Sequence, residues 1–361
     1  MIAVAQKRIL EVSSYPPPRA GWGIRVEFLK KRLEADGHRC VVLNIGTSRA
    51  IPSDEYEMVL GGFDFVRKVW RFSRQGFVVH AHANGDALKG TLLAILALLL
   101  NRIAGHRGYL TFHAGAIQRY FPQDRGPRFV WLYKVLFRLP RRIVCNSEAV
   151  KACIAGYGVA PSKIEPIPAF SREYLEFRLA PLPDAIENFL RSYPTAVFSY
   201  VRMRPLFFPV TLIEGMARVM DRRPDVGLLL CGLAGHSDPG VRPAVEAAIE
   251  RLGIAPRICL IDDLDHEVFL TVLQRSALYL RTPITDGVAS SVLESLALKV
   301  PVVACENGNR PATVITYSAD DAEDMARAVE HVLENRGTIV ASLASVQAAD
   351  TLSDEVALLT S

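Results

Sequence analysis

Short runs of β-branched and apolar residues alternate with longer stretches of helical period along almost the whole chain. That alternation is the pattern of βαβ units. Parallel strands covered by helices on both faces read as continuous apolar runs instead of alternating in and out. The pattern predicts strands at Arg8–Ser13, Cys40–Ile45, Phe77–His82, Tyr109–His113 and Arg142–Asn146. Helical period fills the gaps, as in Ile24–Ala35, where Val26, Leu29 and Leu33 share one face.

Pro166, Pro168, Pro181, Pro183 and Pro194 then interrupt the rhythm, and a second series follows. Its strands are expected at Ala196–Val201, Val226–Cys231, Arg257–Ile261, Leu278–Arg281 and Val302–Ala304, with helices such as Val210–Asp221, Val241–Leu252 and His266–Ser276 between them. A chain of 361 residues, at roughly 150 per domain, agrees with two domains. The expectation is an α/β fold of two Rossmann-like, doubly wound parallel-sheet domains facing a cleft. An N-terminal domain spans 1–170, a linker 171–195 and a C-terminal domain 196–361. In such sheets ligands bind beyond the carboxyl ends of the strands, so chemistry is sought there.

Half the residues are hydrophobic and 22% are charged, which excludes disordered and low-complexity classes. The net charge of +4 is too mild to call for nucleic acid. Cys40, Cys145, Cys153, Cys231, Cys259 and Cys305 show no paired metal spacing, and most lie in apolar runs, which reads as buried reduced thiols of a cytoplasmic protein. No secretory signal is expected, and the longest apolar run, Leu92–Leu100, is far short of the ~20 residues that span a bilayer.

Five strand ends carry candidate chemistry. After the first strand, Pro16 to Gly23 brings Gly21 and Gly23 to a helix start, where the backbone can approach an anion closely. The same residues would equally make a tight strand-to-helix turn. They lack the three glycines of a dinucleotide fingerprint, so no nicotinamide or flavin is expected.

Thr111-Phe112-His113-Ala114-Gly115 ends a strand in a histidine followed by small residues, suited to a substrate hydroxyl or phosphate, or to a simple cap. His80 and His82, two apart, share a face as a metal pair would, but no third ligand lies nearby in sequence. Arg202 and Arg204 follow the first strand of the second series and suit a phosphate.

The fullest constellation is Asp286-Gly287-Val288-Ala289-Ser290-Ser291-Val292-Leu293-Glu294. A small-residue turn enters a helix whose first N–H groups could hold a diphosphate, while the Glu294 carboxylate could accept from two vicinal sugar hydroxyls. Ser291 followed three residues later by Glu294 is also a capping box, which needs no ligand.

Taken together these pieces resemble the retaining glycosyltransferases of family 4, which have the GT-B architecture. The resemblance spans nearly the whole chain and rests on Gly21-Trp22-Gly23, Thr111-Phe112-His113, Arg142 to Val150, Pro161 to Ile164, Arg202 and Arg204, Asp225 to Gly232, and Asp286 to Glu294 followed by Pro301-Val302-Val303-Ala304. The most specific feature is an acidic residue and a glutamate separated by seven residues, as Asp286 and Glu294 are. The resemblance implies that Glu294 binds the donor ribose and that Gly287, Ala289, Ser290, Ser291 and Val292 line the diphosphate. It also implies that Gly21 and Gly23 lie beside the phosphates, and that Asp286 and His113 approach the transferred sugar with Arg202 and Arg204 as the clamp.

Two departures stand out. Aspartate replaces the family's usual glutamate at 286, and the clamp lysine's place falls on Phe207 or Phe208.

The implied activity is metal-independent transfer of a sugar from a nucleoside-diphosphate donor to a hydroxyl acceptor, carbohydrate or lipid-linked, with retention and in polysaccharide or glycolipid synthesis. No cofactor, metal or nucleic acid is expected. The alternatives are a non-catalytic GT-B partner protein that binds sugar or nucleotide, and a nucleotide-sugar epimerase. Aromatic and basic residues mixed over Phe63–Phe77 and Arg128–Arg142 suit peripheral contact with an anionic membrane, or an amphipathic helix with a solvated basic side.

Overall fold

The structure is a computed structural model that describes residues 6–16, 21–113, 115, 117–233, 237–344 and 350–361. It divides into two compact units, Met1–Ser171 with Asp350–Ser361, and Arg172–Ala349. The first unit runs β1 (Arg8–Ser13), α1 (Gly21–Ala35), β2 (Arg39–Asn44), α2 (Gly62–Arg74), β3 (Val78–Ala83), α3 (Leu88–Ile103), β4 (Tyr109–Phe112), α4 (Val130–Arg138), β5 (Arg142–Cys145), α5 (Glu148–Ala155) and β6 (Ile164–Pro166). Its six strands, all parallel, lie in the order β2-β1-β3-β4-β5-β6.

The second unit runs α6 (Asp184–Ser192), β7 (Thr195–Tyr200), α7 (Pro209–Arg222), β8 (Val226–Cys231), α8 (Val241–Leu252), β9 (Ile258–Ile261), α9 (His266–Arg275), β10 (Leu278–Arg281), α10 (Ser290–Ala297), β11 (Val302–Cys305), β12 (Ile315–Tyr317), α11 (Ala322–Glu334) and α12 (Arg336–Leu343). Its parallel sheet has the order β12-β11-β10-β7-β8-β9. Both sheets are doubly wound, as the sequence predicts. The order reverses between β1 and β3 in one and between β7 and β10 in the other, and the carboxyl ends at such a reversal open a crevice.

The strands are apolar because both of their faces are covered. Leu10, Val12, Val79, Ala81, Leu110 and Phe112 are fully or almost fully buried in the first unit, as are Val197, Phe198, Leu228, Leu230, Leu278 and Leu280 in the second. Two strands escape the sequence reading, β6 and β12. Each has three residues at a sheet edge, too few to show a period, and β6 ends in Pro166, which an edge tolerates.

Most of the aromatic residues near α2 and α4 point inward. Phe72, Tyr133 and Phe137 are buried, and Tyr133 and Phe137 pack with Phe112, Phe121 and Tyr157. Phe63, Trp70 and Trp131 remain outside. All six cysteines are free, and no described helix is long and apolar enough to cross a membrane.

The boundaries differ from those the sequence predicts at the end of the chain. The last helix, α13 (Thr351–Thr360), belongs to the first unit and not with 196–361. Asp350 caps it by accepting from the N–H groups of Leu352 and Ser353, and Leu352, Val356 and Leu359 pack against Ile9, Leu29, Leu33 and Tyr109. The apolar period shows that this helix covers something but cannot say what. Within the expected linker 171–195, α6 inserts Ile186 into the second unit's core.

The last helix is pinned electrostatically. Arg25 of α1, 1% exposed, lies 2.7 Å from Glu355 of α13, 2% exposed, and also donates to the carbonyls of Phe170 and Thr351. Arg25→Ala leaves a buried carboxylate without its cation and is expected to cost the first unit about 3–5 kcal/mol. The double variant Arg25→Met/Glu355→Leu should lose less. Urea unfolding followed by a probe in the first unit measures both.

Candidate functional site

At the order reversal of the first sheet, β1 and β3 carry polar side chains into a buried position. The register sets Glu11 beside His80, and the period of two puts His82 on the same face. Glu11 Oε1 lies 2.9 Å from His80 Nδ1, and Glu11 Oε2 lies 2.7 Å from His82 Nε2. The His80–His82 pair thus meets the third group that the sequence did not show nearby, since Glu11 comes from a neighbouring strand. The three offer ligand atoms within 4.8 Å of one another. Each oxygen of the Glu11 carboxylate is paired with one imidazole nitrogen.

The network extends in both directions. His80 Nε2 lies 2.8 Å from Thr111 Oγ1, which donates to Glu355 Oε1 at 3.0 Å. On the other side His82 Nδ1 lies 2.8 Å from His113 Nε2. His113 follows β4, its backbone N–H donates to the Ala83 carbonyl, and its ring lies edge-to-face with Trp22, centroids 4.9 Å apart.

Charge compensation decides how these groups titrate. Burial alone would push Glu11 up, but the attraction and hydrogen bonds of His80 and His82 outweigh it and hold the carboxyl at about 2. Burial opposes protonation of His80, and Glu11 overcomes it, raising His80. His82 and His113 are lowered, first by burial and then by the neighbouring imidazoles.

Gly21 and Gly23 form the first turn of α1; residues 17–20 and Ala114 lie outside the described residues. A Cβ at Gly23 would meet Pro16 Cδ at 3.6 Å and the Ser14 carbonyl at 3.8 Å, ordinary contacts, so packing among the described residues does not demand glycine there.

In the second unit the order reversal brings the β7 and β10 ends together. Arg202 follows β7, reaches Asp263 at 3.3 Å and lies over the Tyr200 ring; Arg204 is exposed. Phe207 and Phe208 pack against the core, and Phe208 takes a left-handed conformation, φ 47°, before α7.

Asp286 is held by a group the sequence reading did not single out. Arg281, at the end of β10, grips it through Nε at 2.7 Å and Nη2 at 3.1 Å, and donates from Nη1 to the Tyr200 carbonyl. Burial would depress this guanidinium, but the Asp286 carboxylate more than compensates. Arg281 also lies 5.9 Å from the Phe207 ring centroid. Arg310 Nη1, buried and without a hydrogen-bond partner among the described residues, is 3.9 Å from Asp286. The signal for Arg281 was a charged residue ending an apolar strand run.

The turn after β10 enters α10 with Ala289 as the N-cap residue and no side-chain cap. The capping box is therefore not formed. Ser291 Oγ accepts from the Tyr279 hydroxyl at 2.9 Å, and Glu294, 4% exposed, turns its Oε1 to His266 Nε2 at 2.9 Å. The leading N–H groups of a helix lack partners within it, so Ser290 and Ser291 sit where an anion is favoured. Val292 differs: its side chain is core and its N–H donates to the Ala289 carbonyl. Gly287 is buried.

Comparison with known proteins gives two profile matches, Glycosyltransferase Family 4 over 20–170 and Glycosyl transferases group 1 over 188–345. No curated protein matches the chain. Among solved structures it is similar to the HepE protein of Anabaena, crystallised with UDP-glucose, at 14% identity and a TM-score of 0.75 over 97% of this chain and 98% of that one. It is similar to sucrose-phosphate synthase from Thermosynechococcus elongatus at 17% identity and 0.74, over 98% and 95%. A glycosyltransferase from Rickettsia africae matches at 15% identity and 0.70, over 98% of each chain.

The buried network makes a pH prediction for the fold. An unfolded chain protonates Glu11 near 4.5 but the folded one only near 2, so the unfolded state binds the proton first as pH falls. Stability from Glu11 is present above pH 4.5 and is lost from there down to pH 2. Glu11→Gln should flatten the acid slope of unfolding free energy by up to about one proton. His80 has the opposite sign: its contribution is complete below 6.5 and fades as pH rises through its raised folded value. Urea titrations from pH 3 to 8 measure both arms.

Proposed function

The chain belongs to the family 4 glycosyltransferases and has their GT-B fold, and on that premise we propose that it moves a sugar from a nucleoside-diphosphate donor to a hydroxyl acceptor with retention. The observation that carries this reading is the uncapped start of α10, with the Glu294 carboxylate one turn further on. Phosphate oxygens are drawn to the helix N–H groups, and Glu294 Oε2, which has no hydrogen-bond partner among the described residues, accepts from the ribose. That HepE was crystallised with UDP-glucose favours a nucleotide sugar as the donor class.

In the proposed reaction the bond between the anomeric carbon and the phosphate oxygen breaks, the acceptor oxygen bonds to that carbon, and the acceptor proton passes to the leaving phosphate. Departing charge is met by Arg202, Arg204 and the α10 N–H groups, so the chemistry is positioning and electrostatic stabilisation and calls on no metal. Asp286, held in place by Arg281, is assigned a hydroxyl of the transferred sugar, as is His113 on the first unit. Gly21 and Gly23 are assigned to the phosphates. The acceptor is a carbohydrate or lipid-linked hydroxyl, in polysaccharide or glycolipid synthesis. The exposed Phe63, Trp70 and Trp131 suit peripheral contact with an anionic membrane surface.

A thermal-shift screen against nucleotide sugars tests the reading, since a ligand at a hundredfold excess over its Kd stabilises by about 2.7 kcal/mol. The expected result is a shift with one donor, together with release of the nucleoside diphosphate when an acceptor is supplied. Binding without turnover would favour a partner protein, and inversion at a sugar carbon without acceptor an epimerase. Glu294→Ala should weaken donor binding by about 1–3 kcal/mol in calorimetry. Unchanged affinity in a folded variant would remove Glu294 from the donor site.

A further inference from the structure

We propose that Glu11, His80 and His82 form a buried relay that fixes His113 as a neutral imidazole with its proton on Nε2. Its Nδ1 is then an acceptor for a sugar hydroxyl of the donor, an assignment that rests on the transferase reading above. The groups facing this chain are Glu11 from β1, His80 and His82 from β3, Thr111 from β4, Arg25 from α1 and Glu355 from α13.

Counting hydrogens fixes the tautomers. Thr111 has one hydroxyl hydrogen, and it goes to Glu355 Oε1, because a carboxylate held ionised by Arg25 can only accept. The contact between Thr111 Oγ1 and His80 Nε2 is then donated by the imidazole. His80 Nδ1 donates as well, to Glu11 Oε1, so His80 carries both protons and a positive charge. Arg25 and His80 balance Glu11 and Glu355, and the buried cluster is neutral.

His82 spends its Nε2 proton on Glu11 Oε2. Its ring centroid is 4.3 Å from that of His80, where a second cation would be repelled, so its Nδ1 stays bare. That bare nitrogen accepts from His113 Nε2 at 2.8 Å. His113 Nδ1 is left with a lone pair and no hydrogen-bond partner among the described residues. The lowered proton affinities of His82 and His113 agree with this assignment. Glu11, His80 and His82 are thus positioning residues: they act on the sugar only through His113.

The test is a two-bond proton–nitrogen correlation spectrum of the imidazoles of the full chain, labelled with nitrogen-15, from pH 6 to 8. The expected result is two protonated nitrogens on His80, and protonated Nε2 with bare Nδ1 on both His82 and His113. A Nδ1–H tautomer or an imidazolium at His113 would overturn the proposal.

Two variants supply the functional readout. His82→Leu and His82→Asn both cut the link to Glu11, but only asparagine keeps an oxygen where Nδ1 stood. His82→Leu should lower kcat with UDP-glucose 10- to 100-fold with little change in KM. His82→Asn should recover most of that loss and keep the wild-type His113 tautomer. Equal losses in both variants, tracking their melting temperatures, would reduce the cluster to a structural role and also overturn the proposal. No turnover of UDP-glucose by the wild type would count against that donor in the transferase reading, while the spectra still judge the relay.

Discussion

A carboxylate inside a parallel sheet has no water to stabilise it, and in the first unit the arrangement of the centre follows from that fact. Glu11 is fully buried on β1 and draws His80 and His82 to its two oxygens. His80 in turn meets Thr111 and Glu355, and Glu355 meets Arg25, so two negative and two positive groups settle in one buried cluster. Removing any one member leaves another uncompensated, which couples the sheet, the first helix and the last helix of the unit.

The second unit solves a similar problem with one pair. Asp286 would be costly in the half-buried turn after β10, and Arg281 holds it in two-pronged fashion. The same guanidinium faces the ring of Phe207. The Asp286 carboxylate is thereby held through both of its oxygens by one planar group.

Most of the fold was legible because alternating apolar runs are a property of the backbone pattern. Arg8–Ser13, Val226–Cys231, Leu278–Arg281 and the helix at Val241–Leu252 fall where the period puts them. The three-residue β6 and β12 had no period to read. The partner of α13 was not readable either, since an amphipathic face names no counterpart. At the site, the Asp286–Glu294 spacing marked the turn, but the rivalry between a capped helix start and an open one could be resolved only by geometry. Glu11 and Arg281 stood in plain sight as charged residues in apolar strands, yet their partners come from other strands or beyond a turn, and no local window joins Glu11 to His82.

The tie between Arg25 and Glu355 joins positions separated by the whole of the second unit. During synthesis the first sheet can assemble early, but its helix layer stays one member short, with a buried arginine lacking its counter-ion, until every residue of the second unit has emerged. The unit made first is therefore the one finished last. A ribosome-bound chain would carry an unsealed face that a chaperone or the cell's proteases could sense.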